Sequence, residues 1–293
     1  MMENKGLTVT FIFEAESANY GEGVGNVTSL KKITRDGGRA YSYISRQALR
    51  YDIVNQMGEY NTKLGLDGEV LQFHPDAKID EYAEIDLFGY MKTKKQTKTR
   101  AAVVRLSNAI ALETFNADID FLTNKGLLDR YNKTADKKKE GGNIAQSEIH
   151  KSYYAYTIAI DLDKVGIDEN DNIEIPNEEK SNRIKNLLKT LKFLYRDIKG
   201  RRENLSPIFA IGGVYDVKNP FFENRVQSFN NRLNIDAIKS VLSLDKEIKE
   251  NTIVGLNEGI FNNNDQIKEE LNAKEIGEFF KLLEGKVEEY YSK

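Results

Sequence analysis

The run Ser45-Arg46-Gln47-Ala48-Leu49-Arg50 places two arginines four residues apart where a helix is expected to begin. At about 100° per residue they share one side, next to Ile53 and Met57 rather than opposite them. A cation in the first two turns opposes the helix dipole, at a cost of roughly 0.3–1 kcal/mol each. Two guanidiniums, the free N–H groups of the first turn, the Ser45 hydroxyl as a cap and the Gln47 amide together suit a phosphate. Lys31, Lys32, Arg35 and Arg39, on the preceding segment, extend such a site along a strand of nucleic acid. The plainer reading is that Arg46 and Arg50 lay their stems on the core edge and pair with Asp52 or Glu59. The residues alone leave both readings open.

Other residues offer weaker chemistry. Glu148 and His150 fall on one face of an extended segment and could form an acid–base pair. Asp36 is the acid nearest the basic run, but Asp36-Gly37-Gly38 reads as a turn. Gly21, Gly23 and Gly25 follow a strand with no helix after them, so they fail as a dinucleotide fingerprint; they would instead let the backbone pass close to a neighbouring group. Gly212-Gly213 admits the same account, or a bulge in a strand. The basic turn Lys92–Lys98 is most simply a solvated hairpin tip, and the bases of the helix Glu178–Lys199 its wet face.

Composition bounds these options. The 293 residues carry a net charge of −3, no cysteine and 2 histidines, which excludes disulfides, thiolate metal sites and a cysteine nucleophile and disfavours a histidine metal centre. A generic nucleic-acid binder would be basic overall, yet the charge is uneven. Residues 31–50 hold six bases against Asp36 alone, residues 92–105 hold six bases and no acid, and the chain from Asp245 holds 12 acids and 7 bases. An acidic tail on one copy facing the basic segment of the next would favour self-association. No apolar run spans a bilayer and the N-terminus lacks a signal-peptide order, so a soluble, cytoplasmic chain without membrane contact is expected.

The elements that must position these residues follow from periodicity. Leu7–Ala15 alternates as a half-buried strand, with Thr8 and Thr10 on its wet face. A glycine-spaced loop, Asn19 to Asn26, precedes a segment that starts as a strand and ends near Asp36. A helix is expected from Ser45 to Met57, capped by Ser42 or Ser45, with Leu49, Ile53 and Met57 buried. Strands follow at Ile85–Met91 and Ala101–Leu106, then a mobile polar loop over Arg130–Gly142 and an apolar strand through Tyr154 and Leu162. Glu178–Lys199 reads as a helix stopped by Gly200, and Ile208–Val217 as a strand; from Asp265 the chain is helical and acidic. The simplest packing is α+β: an antiparallel sheet with two helices on one face, the ferredoxin-like arrangement shared by RNA-recognition-motif domains. The aromatic signature of that motif is missing, so base stacking on the sheet is not expected. One domain spans 1–293, with insertions at 58–84 and 92–150. No helix-turn-helix pattern supports a regulator acting on duplex DNA.

Asn19-Tyr20-Gly21-Glu22-Gly23-Val24-Gly25-Asn26, then Leu30 to Gly38, then Tyr43 to Ile53, resembles the DevR-type CRISPR-associated backbone subunit of type I-B Cascade interference complexes. The likeness is dense over residues 7–57 and returns at Glu148-Ile149-His150 and the strand to Gly166. It implies a palm related to the RNA-recognition motif, with inserted finger (58–84) and thumb-like (92–150) segments. Copies would sit side by side along one guide crRNA, next to other Cascade subunits, while target DNA pairs with the guide. The family's contacts carry over onto Lys31, Lys32, Arg35, Ser45, Arg46, Gln47 and Arg50; Asn19, Asn26, Arg39, Lys98, Arg100, His150, Gly212 and Gly213 complete the candidate RNA contacts. No cofactor or metal is implied. Related type III subunits cleave RNA with an aspartate before that helix. Here the stretch is Ser29-Leu30-Lys31-Lys32-Ile33, which has no acid, so the expectation is a binding protein and not an enzyme. The alternative is a metal-dependent ribonuclease using Asp36 or His150.

Overall fold

The computed structural model describes residues 3–293 apart from Glu22, Val24, Asp36, Lys95, Gly142 and Asn143. A nine-stranded sheet forms its centre. In chain order its strands are β1 (Gly6–Ala15), β2 (Lys32–Arg35), β3 (Arg39–Ile44), β4 (Val104–Leu106), β5 (Ala109–Ala111), β6 (Ser152–Asp161), β7 (Phe209–Tyr215), β8 (Ile253–Leu256) and β9 (Lys274–Glu275). Across the sheet they run β9-β8-β7-β1-β6-β5-β3-β2, and β4 also pairs with β6. β1 lies antiparallel to both β6 and β7. The helices used below are α1 (Arg46–Gln56), α2 (Ala83–Phe88), α3 (Lys125–Thr134), α4 (Asn177–Lys192), α5 (Ile235–Leu242), α6 (Lys246–Asn251), α7 (Asn264–Leu271) and α8 (Ile276–Tyr291).

Both faces of β1 are covered, so the expectation of one wet face is corrected. Leu7, Val9, Phe11 and Phe13 meet Leu49 and Ile53 of α1, Leu187 and Leu191 of α4, and Phe280 and Leu283 of α8. On the other side Ile12 joins Phe209, Ile211, Ile238 of α5 and Ile267 of α7. Thr10, polar in the sequence, is buried because its hydroxyl pairs with that of Thr157 at 2.7 Å.

α1 forms where its pattern requires. Ser45 is extended, and its Oγ accepts from the Ala48 N–H at 3.3 Å. Ser42, the other candidate cap, lies in β3 and bonds His150 Nδ1 and the Tyr154 hydroxyl, each at 2.7 Å.

Four further expectations are corrected. Ile85–Met91 is not a strand: α2 covers its start, Gly89 breaks the chain at φ 74, and a hairpin of Tyr90–Thr93 with Thr97–Arg100 follows. A short apolar run does not by itself separate helix from strand. The start of Arg130–Gly142 belongs to α3. α4 ends at Lys192, and Tyr195–Ile198 pairs with Arg201–Asn204, so Gly200 turns a hairpin instead of stopping a helix. The register of β7 on β1 runs unbroken through Gly212 and Gly213, without a bulge.

Candidate nucleic-acid interface

Asn19 fixes the start of α1. Its Oδ1 accepts from the Ser45 N–H at 3.1 Å and from the Ser45 hydroxyl at 2.6 Å. Asn108 Oδ1, between β4 and β5, accepts from the Arg46 N–H at 2.9 Å. Two N–H groups of the first turn are thereby satisfied inside the protein, a correction to the expectation that they are free. The side chains of Arg46 and Gln47 remain exposed.

Arg46 and Arg35 line one cleft of about 390 Å³, together with Ser107, Asn108, Glu223 and Gln227. Arg35 lies 4.9 Å over the Tyr41 ring, and its Nε is buried without a hydrogen-bond partner among the described residues. Arg39 is directly across the hairpin from Arg35 and is exposed. Two like charges facing each other across strands are unfavourable unless an anion or solvent separates them. Lys31 is half-buried, and its backbone N–H donates to the Asn19 carbonyl at 2.6 Å. Asn26 is exposed, and its carbonyl accepts from the Gln146 N–H at 2.9 Å.

Other predicted contacts have internal partners. Arg50 donates to Glu84 at 2.7 Å and lies over the Phe88 ring, so its partner is neither Asp52 nor Glu59. Lys32 bridges Glu148 at 2.7 Å and sits 4.1 Å over Phe115. Glu148 also accepts from the Leu30 N–H at 2.8 Å. His150 is buried, its Nδ1 engaged with Ser42, and desolvation pushes its pKa below the usual histidine value. The pair proposed from spacing is therefore divided between two separate networks. Asp36 lies outside the described residues.

Four further candidate contacts are engaged within the protein or accounted for by its packing. Lys98 is ion-paired with Asp171. The side chain of Arg100 is only 8% exposed; it donates to Asp86 Oδ1 at 2.8 Å and to the Lys164 and Ile167 carbonyls at 3.0 Å each. Its guanidinium donors are therefore engaged by groups inside the protein. At Gly212 a Cβ would stand 2.0 Å from the Thr8 carbonyl oxygen, and at Gly213 2.1 Å from that of Asn251. Close backbone packing, not an approaching strand of RNA, requires both glycines.

A family model described as CRISPR-associated negative auto-regulator DevR/Csa2 matches residues 7–233, a span that contains the α1 start and the cleft. The chain belongs to the DevR/Csa2 family. A relative of this DevR/Csa2 chain, "CRISPR-associated protein Cas7/Cst2/DevR" of Myxococcus xanthus (strain DK1622), is 24% identical over 164 residues, 48% of this chain and 52% of the relative. The chain thus spans about half the length of that curated relative. Among solved structures, a chain of a "CRISPR RNA-guided surveillance complex, pre-nicking" superposes with a TM-score of 0.59 at 12% identity, covering 87% of this chain and 93% of that one. A chain of a "CRISPR RNA-guided surveillance complex" gives 0.52 at 14% identity, covering 85% and 87%. At these identities the likeness is one of fold.

Two features beside the candidate interface escape sequence reading. Ser107-Asn108 is a two-residue link whose role depends on α1 lying beside it. The basic turn Lys199-Gly200-Arg201-Arg202 is hidden when the helix is read through to Lys199, because Lys-Gly is not among the dipeptides that favour a hairpin turn.

Proposed function

We propose that this chain is a guide-binding backbone subunit of a type I-B CRISPR Cascade, holding the crRNA phosphate backbone in repeated copies while target DNA pairs with the guide. In this reading it works in the cytoplasm alongside other Cascade subunits, and it binds without catalysing a reaction. The observation that carries the proposal is the convergence of Arg46 and Arg35 on one cleft that Glu223 also lines, neither arginine ion-paired with a carboxylate among the described residues, inside the span matched by the family model. Guanidiniums left without an ion pair suit a phosphate.

The palm of this reading is the set β7, β1, β6 and β4/β5. Its strands are antiparallel, and in chain order they stand 4-1-3-2, with α1 following the first and α4 the third. That is the ferredoxin-like order used by RNA-recognition domains. Asp118–Ile149, with its exposed hairpin and α3, serves as the thumb, and the hairpin Leu64–Phe73 as the finger. Non-catalytic action is supported by the separate engagement of Glu148 and His150.

The test is binding of an unstructured 30-nucleotide RNA, measured at two salt concentrations, by wild type and by the R35A/R46A variant. Wild type should bind with a steep salt dependence, and the variant should lose at least tenfold in affinity with its fold intact. Equal binding by both would refute the site. Cleavage of that RNA by wild type with Mg²⁺ would refute the non-catalytic assignment.

A further inference from the structure

Six described residues other than glycine hold φ between +49° and +60°: Asn172, Asn224, Asn230, Asn231, Asn272 and Lys199. Five are asparagine, the residue that tolerates the left-handed region best after glycine. Lys199 is the exception. It begins a two-residue turn, with Gly200 at φ 78, between Ile198 and Arg201, which pair directly. Positive φ at both positions is the type I′ geometry, for which Asn-Gly is the favoured pair. A lysine there costs stability, and strained residues of this kind gather at functional sites.

The surroundings of Lys199 indicate what it serves. The other bases of this hairpin have acids: Arg196 bonds Glu203, Arg201 bonds Glu16 and Glu203, and Arg202 bonds Asp197. Lys199 has no carboxylate partner among the described residues, and its Nζ lies 4.6 Å over the Tyr20 ring. Tyr20 directly follows Asn19, which bonds Ser45 at the start of α1, and precedes Gly21, where a Cβ would stand 3.7 Å from the Lys31 side chain. Lys199, Lys31 and the helix start bearing Arg46 therefore come from three separate parts of the chain to three consecutive residues.

We infer that Lys199 is a phosphate contact that extends the α1 interface across Asn19-Tyr20, for a single strand of RNA. This rests on the guide-binding reading. The competing role is structural, with the lysine holding its own turn onto Tyr20 through a cation–π contact.

K199N separates the two, because asparagine suits the turn and removes the charge. For the RNA-contact role, K199N melts at or above the wild-type temperature. It binds the 30-nucleotide RNA about 3–10-fold more weakly at moderate salt, its log affinity against log salt is shallower by about 0.7 per bound copy, and K199R restores both. Wild-type affinity and slope in K199N, while R35A/R46A loses binding, would overturn the Lys199 contact and leave the guide-binding reading standing. A K199N protein less stable than wild type would assign the residue to structure and overturn the contact. Failure of the wild type to bind RNA would overturn both.

Discussion

Arg50 Nη2 stands 2.7 Å from Oε1 of Glu84, a carboxylate only 5% exposed, whereas Arg46, one turn earlier on the same helix, reaches solvent and the cleft shared with Arg35. The two arginines are equivalent by spacing and type, and α2 makes them different by bringing an acid to only one of them. Arg50 therefore stabilises the fold, while Arg46 is left to meet a partner.

Substitutions at these two positions should separate stability from binding. R50A leaves Glu84 buried without its cation, at a cost of about 1–3 kcal/mol. R46A removes an exposed side chain and should change stability by less than about 0.5 kcal/mol. Urea unfolding of both variants checks this, and equal losses would contradict the division of roles.

Arg100 should behave as a core residue. Asp86, fully buried, accepts from Arg100 at 2.8 Å, from Arg183 at 2.9 Å and from the Gly166 N–H at 2.9 Å. R100A strips one cation from that acid, and breaking a buried pair costs about 3–5 kcal/mol. Thermal unfolding should show a large drop, with unchanged RNA affinity for whatever protein remains folded. Weaker RNA binding at full stability would restore Arg100 to the interface.

Asp52 supplies a pH test. Burial, opposed by Arg196, pushes its carboxyl up to about 6, above the ordinary 3.8. The folded protein then holds a proton that the unfolded chain has released, so this contribution is present at low pH and is lost as pH rises from about 4 through 6. At pH 7.5 the side chain is ionised and only partly solvated. D52N should then raise stability by roughly 1–2 kcal/mol at pH 7.5 and by little at pH 4, as followed by urea unfolding. An equal gain at both pH values would contradict this account.

Much of the fold was legible because local patterns carried it. Ser45 as cap, and Leu49, Ile53 and Met57 as the buried stripe, follow from helical spacing, and all are placed so. The burial of Thr10 was not legible, since only its neighbour Thr157 makes it acceptable. The hairpin at Lys199-Gly200 was lost because the period of α4 continues by chance through Leu194 and Ile198. At the interface, residue type identified Arg46 and Arg35 as candidate anion contacts. It could not distinguish them from Arg50, Lys32, Lys98 and Arg100, whose acids are 14 to 116 residues away in the sequence. Such partners are set by tertiary packing, and no local pattern encodes them.

The central claim is best tested on protein produced alongside a CRISPR array, by extracting and sizing whatever RNA copurifies. The account predicts a discrete, uniform-length small RNA with the wild type and its absence with the stable R35A/R46A variant. The same RNA in equal amount on both proteins would contradict it, as would a wild type that emerges free of RNA.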